Sequence, residues 1–170
     1  PSPRPVTSDP TETIRAMRVA IVDVGSNTAR LLVADVSSEG ALTPVATRRA
    51  YLGLGEEIAR SGGLSAETID RTATLAGAYA ARARVQGATS VWTLVTAPGR
   101  QGATGAGLAA ALERGTAAPV RILSADEEGR LAFAGVVNAA GCRLPDALGV
   151  VRRQLERAAA GKRAHEDRRQ

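Results

Sequence analysis

One stretch sets the terms for everything after it: Arg18-Val19-Ala20-Ile21-Val22-Asp23-Val24-Gly25-Ser26-Asn27-Thr28, continued by Ala29-Arg30-Leu31-Leu32-Val33-Ala34-Asp35-Val36. The apolar run from Val19 to Val24, broken only by Asp23, predicts a buried strand, and Leu31 to Val36 predicts its antiparallel partner. Gly25-Ser26-Asn27-Thr28 between them suits a tight turn. Asp23 stands out, because a carboxylate at the end of a buried strand is costly without a partner. Followed by a glycine that lets backbone approach a ligand and by three donor side chains, it suits a phosphate cradle. Successive amides in such a turn form an anion-binding concavity. The structural alternative is a plain hairpin whose Asp and Asn satisfy turn backbone. The stretch is neither a Walker loop, since no Gly-Lys-Ser/Thr follows, nor a dinucleotide Gly-x-Gly-x-x-Gly.

The chain of 170 residues can hold one domain with a real core. That core must be built from Ala, Val, Leu and Ile, because Tyr51, Tyr79, Trp92 and Phe133 are the whole aromatic complement. The net charge of +5 raises the question of nucleic acid, and its location answers it. Residues 152–170 hold seven basic groups against three acidic ones, while residues 1–151 hold 15 against 14. The basicity is a tail property, the tail has no aromatics for stacking, and an RNA-binding role is disfavoured. Cys142 is alone, so a disulfide framework and a cysteine metal site are excluded, and it reads as a small hydrophobe, since the histidine that a catalytic cysteine would want, His165, sits in the tail. No apolar stretch approaches a membrane span, and Pro1 to Arg15 lack the apolar region of a signal peptide. A soluble cytoplasmic protein with no membrane partner is expected. Residues 1–16 read as a disordered extension, with Met17 as a natural start.

Further along, Ala41 to Ala50 predicts a third strand, and Pro44 puts it at an edge or near its start. Tyr51 to Glu57 reads as a glycine-broken loop leading into a short helix that Gly62-Gly63 closes. The longest helix begins at Ser65, a good N-cap, and runs to about Gln86, with Ile69, Ala73, Ala76, Ala80 and Ala83 on one face. Ser90 to Thr96 is a strand, Thr96 to Gln101 a loop, and Ala103 to Glu113 a helix. Val120 to Leu123 is the fifth strand and Ser124 to Ala139 a helix. A meander followed by strand, helix, strand, helix is an α/β pattern with a mixed sheet flanked by helices. Ligands of such sheets bind beyond the carboxyl ends of the strands. The turn after Asp23, the loop holding Arg100 and the turn at Ser124 to Glu128 all fall there.

Ser124 and Glu127 fit a capping box. Glu128 is not absorbed by it. On a helix it shares a face with Ala132 and Gly135, small residues that suggest close packing, and it could accept a proton from an attacking water. The alternative is an ion pair with Arg130 or another neighbour.

Val22-Asp23-Val24-Gly25-Ser26-Asn27-Thr28 with Arg30-Leu31-Leu32-Val33 resembles the first phosphate loop of the Ppx/GppA family. Its members are exopolyphosphatases and guanosine pentaphosphate phosphatases of the actin-like, sugar-kinase and heat-shock ATPase superfamily. Later landmarks keep the order. Leu52-Gly53-Leu54-Gly55-Glu56 and Leu64 to Arg71 follow the family's pattern. Thr96-Ala97-Pro98-Gly99-Arg100 is similar to its Thr-Ser-Ala-x-Arg, and Ser124 to Ala132 looks like its Ser-Gly-x-Glu-Glu-Ala-Arg-Leu segment. The match covers roughly residues 18–140.

The resemblance implies a ribonuclease H-like half of an actin-like fold and the hydrolysis of terminal phosphoanhydride bonds in polyphosphate or guanosine pentaphosphate. By resemblance Gly25, Ser26, Asn27, Thr28 and Arg100 bind phosphate, Glu128 is the general base, and Asp23 meets a magnesium ion. The match stops after Ala147-Leu148-Gly149-Val150-Val151. There the family's second loop, Asp-x-Gly-Gly-Gly-Ser/Thr, is replaced by Arg152-Arg153-Gln154-Leu155-Glu156-Arg157. The expectation is a family-like domain over residues 17–151, a basic tail outside the pattern over 152–170, and a truncated or frame-shifted gene product. Two readings stay open: a hydrolase with half an active site, or a non-catalytic phosphate- or nucleotide-binding module compatible with a homodimer.

Overall fold

A computed structural model describes residues 17–38 and 40–140. The expected extension over 1–16, the strand at 147–151, Cys142, and the tail with His165 lie outside the described residues. The chain divides into two compact units after Ile122.

In the first unit, β1 (Met17–Val24) and β2 (Thr28–Val36) pair antiparallel from Met17↔Val36 to Val24↔Ala29. A turn in which the amide of Gly40 donates to the carbonyl of Ser37 (3.0 Å) leads to β3 (Leu42–Tyr51) on the far side of β2. Helices α1 (Leu54–Ser61) and α2 (Ala66–Val85) precede β4 (Ser90–Val95), which runs parallel to β1. A 3-10 turn (Ala97–Arg100) and α3 (Gly102–Thr116) return the chain to β5 (Val120–Ile122), parallel to β4. The strand order is β3-β2-β1-β4-β5. An antiparallel meander extended by parallel strands through helical crossovers is the ribonuclease H-like half of an actin-like fold, as expected. The edge position of β3 accommodates Pro44, which cannot donate to a ladder.

Side chains alternate across a strand, and here the alternation is clean. Ala20, Val22 and Val24 of β1, Leu31 and Val33 of β2, and Val91 and Val95 of β4 are buried with the helix residues Ala76, Ala80, Ala83, Leu108 and Leu112. Removing each such valine or leucine side chain from water stabilises the fold by roughly 1.5–3 kcal/mol, and each alanine methyl by less. Helix α2 forms where the alanine spacing predicts, with the Ser65 hydroxyl accepting from the amide of Thr68. Two threonines that the apolar pattern passes over, Thr68 and Thr72, are buried on the same face. The Thr72 hydroxyl donates to the carbonyl of Thr68 (2.7 Å), so it brings no unpaired polar group into the core.

Helices α2 and α3 approach through glycines. A Cβ on Gly77 would stand 2.6 Å from the carbonyl oxygen of Gly115, and one on Gly115 would stand 2.7 Å from that of Ala73. Arg18 closes the opposite end of the sheet. It donates to both oxygens of Asp35 (2.7 and 2.9 Å) and to the carbonyl of Gln86 (2.8 Å), tying β1, β2 and the end of α2 together. That hydrogen bond holds the Asp35 carboxyl below and the Arg18 guanidinium above their ordinary values.

The stretch expected as a loop from Tyr51 to Glu57 is more ordered than its glycines suggest. Tyr51 still belongs to β3, and α1 starts at Leu54 behind Gly53, whose φ of +71° only glycine adopts without strain.

The second unit contributes α4 (Ala125–Ala140). Its capping box forms as expected: Glu127 accepts from the amide of Ser124 (2.9 Å), and the Ser124 hydroxyl accepts from the amide of Glu127 (3.2 Å). Among the described residues no helix is long and apolar enough to cross a membrane.

Candidate functional site

The register places the ends of the parallel strands on one line, with Val24 beside Val95 and Val95 beside Ile122. The turn after β1 and the segment after β4 therefore leave the sheet side by side. In the first, the amide of Gly25 donates to the carbonyl of Thr28 (2.9 Å) and closes the turn. The turn's own carbonyls are taken up by the chain entering α1: Ser26 accepts from the amide of Gly55 (2.8 Å), and Asn27 from that of Leu52 (2.8 Å). Among the described residues no backbone carbonyl accepts from the amides of Ser26 or Asn27. Oxygens bound to α1 and amides left to other uses is the polarity that an anion-binding turn needs.

Gly55 permits this seating. A Cβ there would lie 3.1 Å from the Ser26 Cβ, tighter than ordinary packing. Its role is close approach, which corrects the reading of this stretch as a flexible loop.

Beyond β4, the amide of Thr96 donates to the carbonyl of Val24 (3.2 Å), and the Thr96 hydroxyl lies 3.7 Å from where a Gly25 Cβ would be. The chain then tightens into the 3-10 turn, with Pro98 and Gly99 buried and Arg100 exposed at its end. Two glycines hold the turn in place. A Cβ on Gly99 would stand 2.8 Å from Val95 Cγ1, and one on Gly105 would overlap the carbonyl of Gly99. The structure thus brings Gly25, Ser26, Asn27 and Thr28 together with the segment that carries Arg100. Gly105 is a positioning residue that sequence reasoning missed, whereas Thr96 and Gly99 entered only as members of the Thr96–Arg100 landmark. A glycine inside a helix signals nothing until its packing against the preceding turn is known.

Asp23 is half-buried and lies on the sheet face away from α2 and α3, in register with Arg30 on one side and Leu94 on the other. Among the described residues no three or more His, Cys, Asp or Glu side chains cluster where they could hold a metal. One carboxylate is enough for magnesium, which keeps several waters and takes one or two carboxylates together with substrate phosphates.

Glu128 lies in the first turn of α4, in the second unit, where its amide donates to the carbonyl of Ser124 (2.9 Å) and its side chain is half-buried. One expectation about its surroundings is corrected. Ala132 and Gly135 are exposed, and a Cβ on Gly135 would meet nothing within 4 Å, so small size there does not mark packing. Arg130 bonds Asp126 (2.9 Å), one helical turn back.

In the first turn of α1, Glu57 accepts hydrogen bonds from the Thr68 hydroxyl, the Ser65 amide (2.7 Å) and the Ser65 hydroxyl, in that order of effect, which pulls its carboxyl down to about 2. Tyr51 donates to Glu56 (2.8 Å), and this bond raises the phenol above its ordinary value. Both contacts brace the helix on which the turn's carbonyls rest.

With this geometry in hand, relatives can be set beside the chain. A model of the Ppx/GppA phosphatase family matches residues 13–145. Exopolyphosphatase 1 of Mycobacterium leprae is 28% identical over 120 residues, covering 71% of this chain and 35% of that protein. Exopolyphosphatase 1 of Mycobacterium tuberculosis gives the same figures. The chain thus spans about a third of the length of the curated relatives it matches. The crystal structure of the Aquifex aeolicus Ppx/GppA family member superposes with a TM-score of 0.66 at 24% identity, over 75% of this chain and 41% of that one. An exopolyphosphatase from Cytophaga hutchinsonii gives 0.56 at 20% identity, over 63% and 34%. These structures share the fold, and the family model covers most of the sequence, including every landmark from Asp23 to Glu128: the chain belongs to the Ppx/GppA phosphatase family.

Proposed function

We propose that this chain carries the phosphoryl-binding half of an exopolyphosphatase-type site. The observation that supports it most is the side-by-side departure of the Gly25–Thr28 turn and the Thr96–Arg100 segment from the carboxyl ends of β1 and β4. The amides and side chains of Gly25, Ser26, Asn27 and Thr28 hold a terminal phosphoryl group, and Arg100 offsets its charge. Glu128 orients a water and takes its proton as the water oxygen attacks phosphorus. The bridging P–O bond breaks, and the shortened chain leaves with the electron pair on oxygen. Positioning and electrostatics supply most of the acceleration in such a transfer. Asp23 would hold magnesium, which supplies charge neutralisation on the phosphoryl oxygens when bound. The substrate is polyphosphate or guanosine pentaphosphate.

The test is phosphate release from long-chain polyphosphate with magnesium, comparing the chain with Glu128→Gln. Loss of a general base lowers the rate by roughly 10²–10⁴-fold, so release should become undetectable in the variant. No release from either protein, with both shown folded by circular dichroism, overturns the catalytic reading. The reading then favoured is a non-catalytic phosphate- or nucleotide-binding module, with a homodimer as its natural assembly. In that reading phosphate binding persists in Glu128→Gln, because binding does not need the general base.

A further inference from the structure

The register draws one row of side chains across all five strands: Arg49 of β3, Arg30 of β2, Asp23 of β1, Leu94 of β4 and Arg121 of β5. The row lies on the face away from α2 and α3, one residue short of the strand ends where the phosphate turn begins. Arg30 and Arg49 stand directly opposite each other. Like charges in that position destabilise a sheet, and among the described residues no carboxylate forms an ion pair with either. Both are exposed. With Arg48 they line a cavity of about 760 Å³ whose other walls are Ile21, Asp23, Leu31, Leu32 and Thr47. Residues 1–151 are nearly neutral, so the two facing guanidinium groups of Arg30 and Arg49 on one sheet face are a local concentration of charge. A low-dielectric floor of Ile21 and Leu32 strengthens its field.

From this geometry we infer that the cavity is a subsite for a linear polyanion of phosphate units. Resting on the reading above, the chain of polyphosphate beyond its reacting end lies along the outer sheet face against Arg30 and Arg49. Guanidinium groups suit this ligand because each presents paired donors to non-bridging phosphate oxygens. A chain held there relieves the repulsion that the register imposes. The subsite adds length selectivity: a short phosphate ester reaches the turn alone, while a long chain engages turn and cavity together.

Calorimetric titration of the whole chain with tripolyphosphate and with long-chain polyphosphate, at several salt concentrations, tests this. In Arg49→Gln, long-chain affinity should fall about tenfold, the scale of one charge-assisted contact, with a shallower salt dependence. Tripolyphosphate affinity should stay unchanged, and Arg49→Lys should recover part of the loss. Unchanged long-chain affinity in Arg49→Gln, with tripolyphosphate still bound, overturns the subsite and leaves the turn intact. Long-chain binding that depends on Arg49 without any tripolyphosphate binding supports the subsite and removes the role given to the turn. A single-stranded oligonucleotide that displaces the long chain at equal phosphate concentration overturns the choice of polyphosphate as the occupant.

Discussion

The two faces of the sheet are supplied by alternate residues of the same strands, yet they differ in kind. Toward α2 and α3 stand Ala20, Val22, Val24, Leu31, Val33 and Val95, each 0–1% exposed. Toward the other side stand Ile21, Asp23, Arg30 and Arg49, with Trp92 still 51% exposed. The first face is a packing surface, where every methyl counts and nothing polar is tolerated without a partner. The second holds charge in a row, and its cost to stability is accepted one position from the Gly25–Thr28 turn. Stability and chemistry are thus separated by a period of two along each strand.

The strongest way to break this contrast is to truncate one large side chain on each side. Leu112→Ala removes a side chain that is fully buried under the sheet. It should cost about 3 kcal/mol, read as a lower denaturation midpoint at constant slope. Trp92→Ala deletes a larger side chain from the outer face and should cost about 1 kcal/mol or less, because half of it never left water. Equal losses would show that the outer face is a core in solution, and the separation would fail.

A finer probe is Gly115→Ala at the crossing of α2 and α3. In an exposed helix this change would stabilise by up to about 1 kcal/mol. Here the new methyl meets the carbonyl of Ala73 at 2.7 Å, and rigid backbone cannot step aside. A net loss of about 1–3 kcal/mol is expected, and a gain would show that the helices cross farther apart. The same residue shows what a sequence can and cannot disclose. The turn at Gly25–Thr28, the Ser65 cap and the Ser124–Glu127 box were legible because each is written in neighbouring residues. Gly55, Gly77, Gly99, Gly105 and Gly115 were not, since each is small for the sake of a partner distant in sequence or across a turn. The row from Arg49 to Arg121 needs four registers to be known before its members share a line. Glu128 misled for the converse reason: small residues on its helical face suggested packing, but small residues also populate exposed helix surface.

The smallest expected effect concerns the brace that holds α1 against the helix layer. Glu57 ties α1 to the N-terminus of α2 by accepting from Thr68 and Ser65, and its carboxyl falls to about 2 from an ordinary 4.5. A depressed carboxylate binds its proton more readily in the unfolded chain. Its contribution to stability is therefore complete above pH 4.5 and is lost as the pH falls toward 2. In Glu57→Gln the charge is gone at every pH, so the variant should melt below the wild type at pH 7. The two should converge as the pH approaches 2, whereas Trp92→Ala should keep a constant offset across the same range. Parallel melting curves for Glu57→Gln and the wild type from pH 7 to pH 2 would show that Glu57 is not the titrating group. The seating of α1 on the Ser26 and Asn27 carbonyls would then rest on backbone contacts alone.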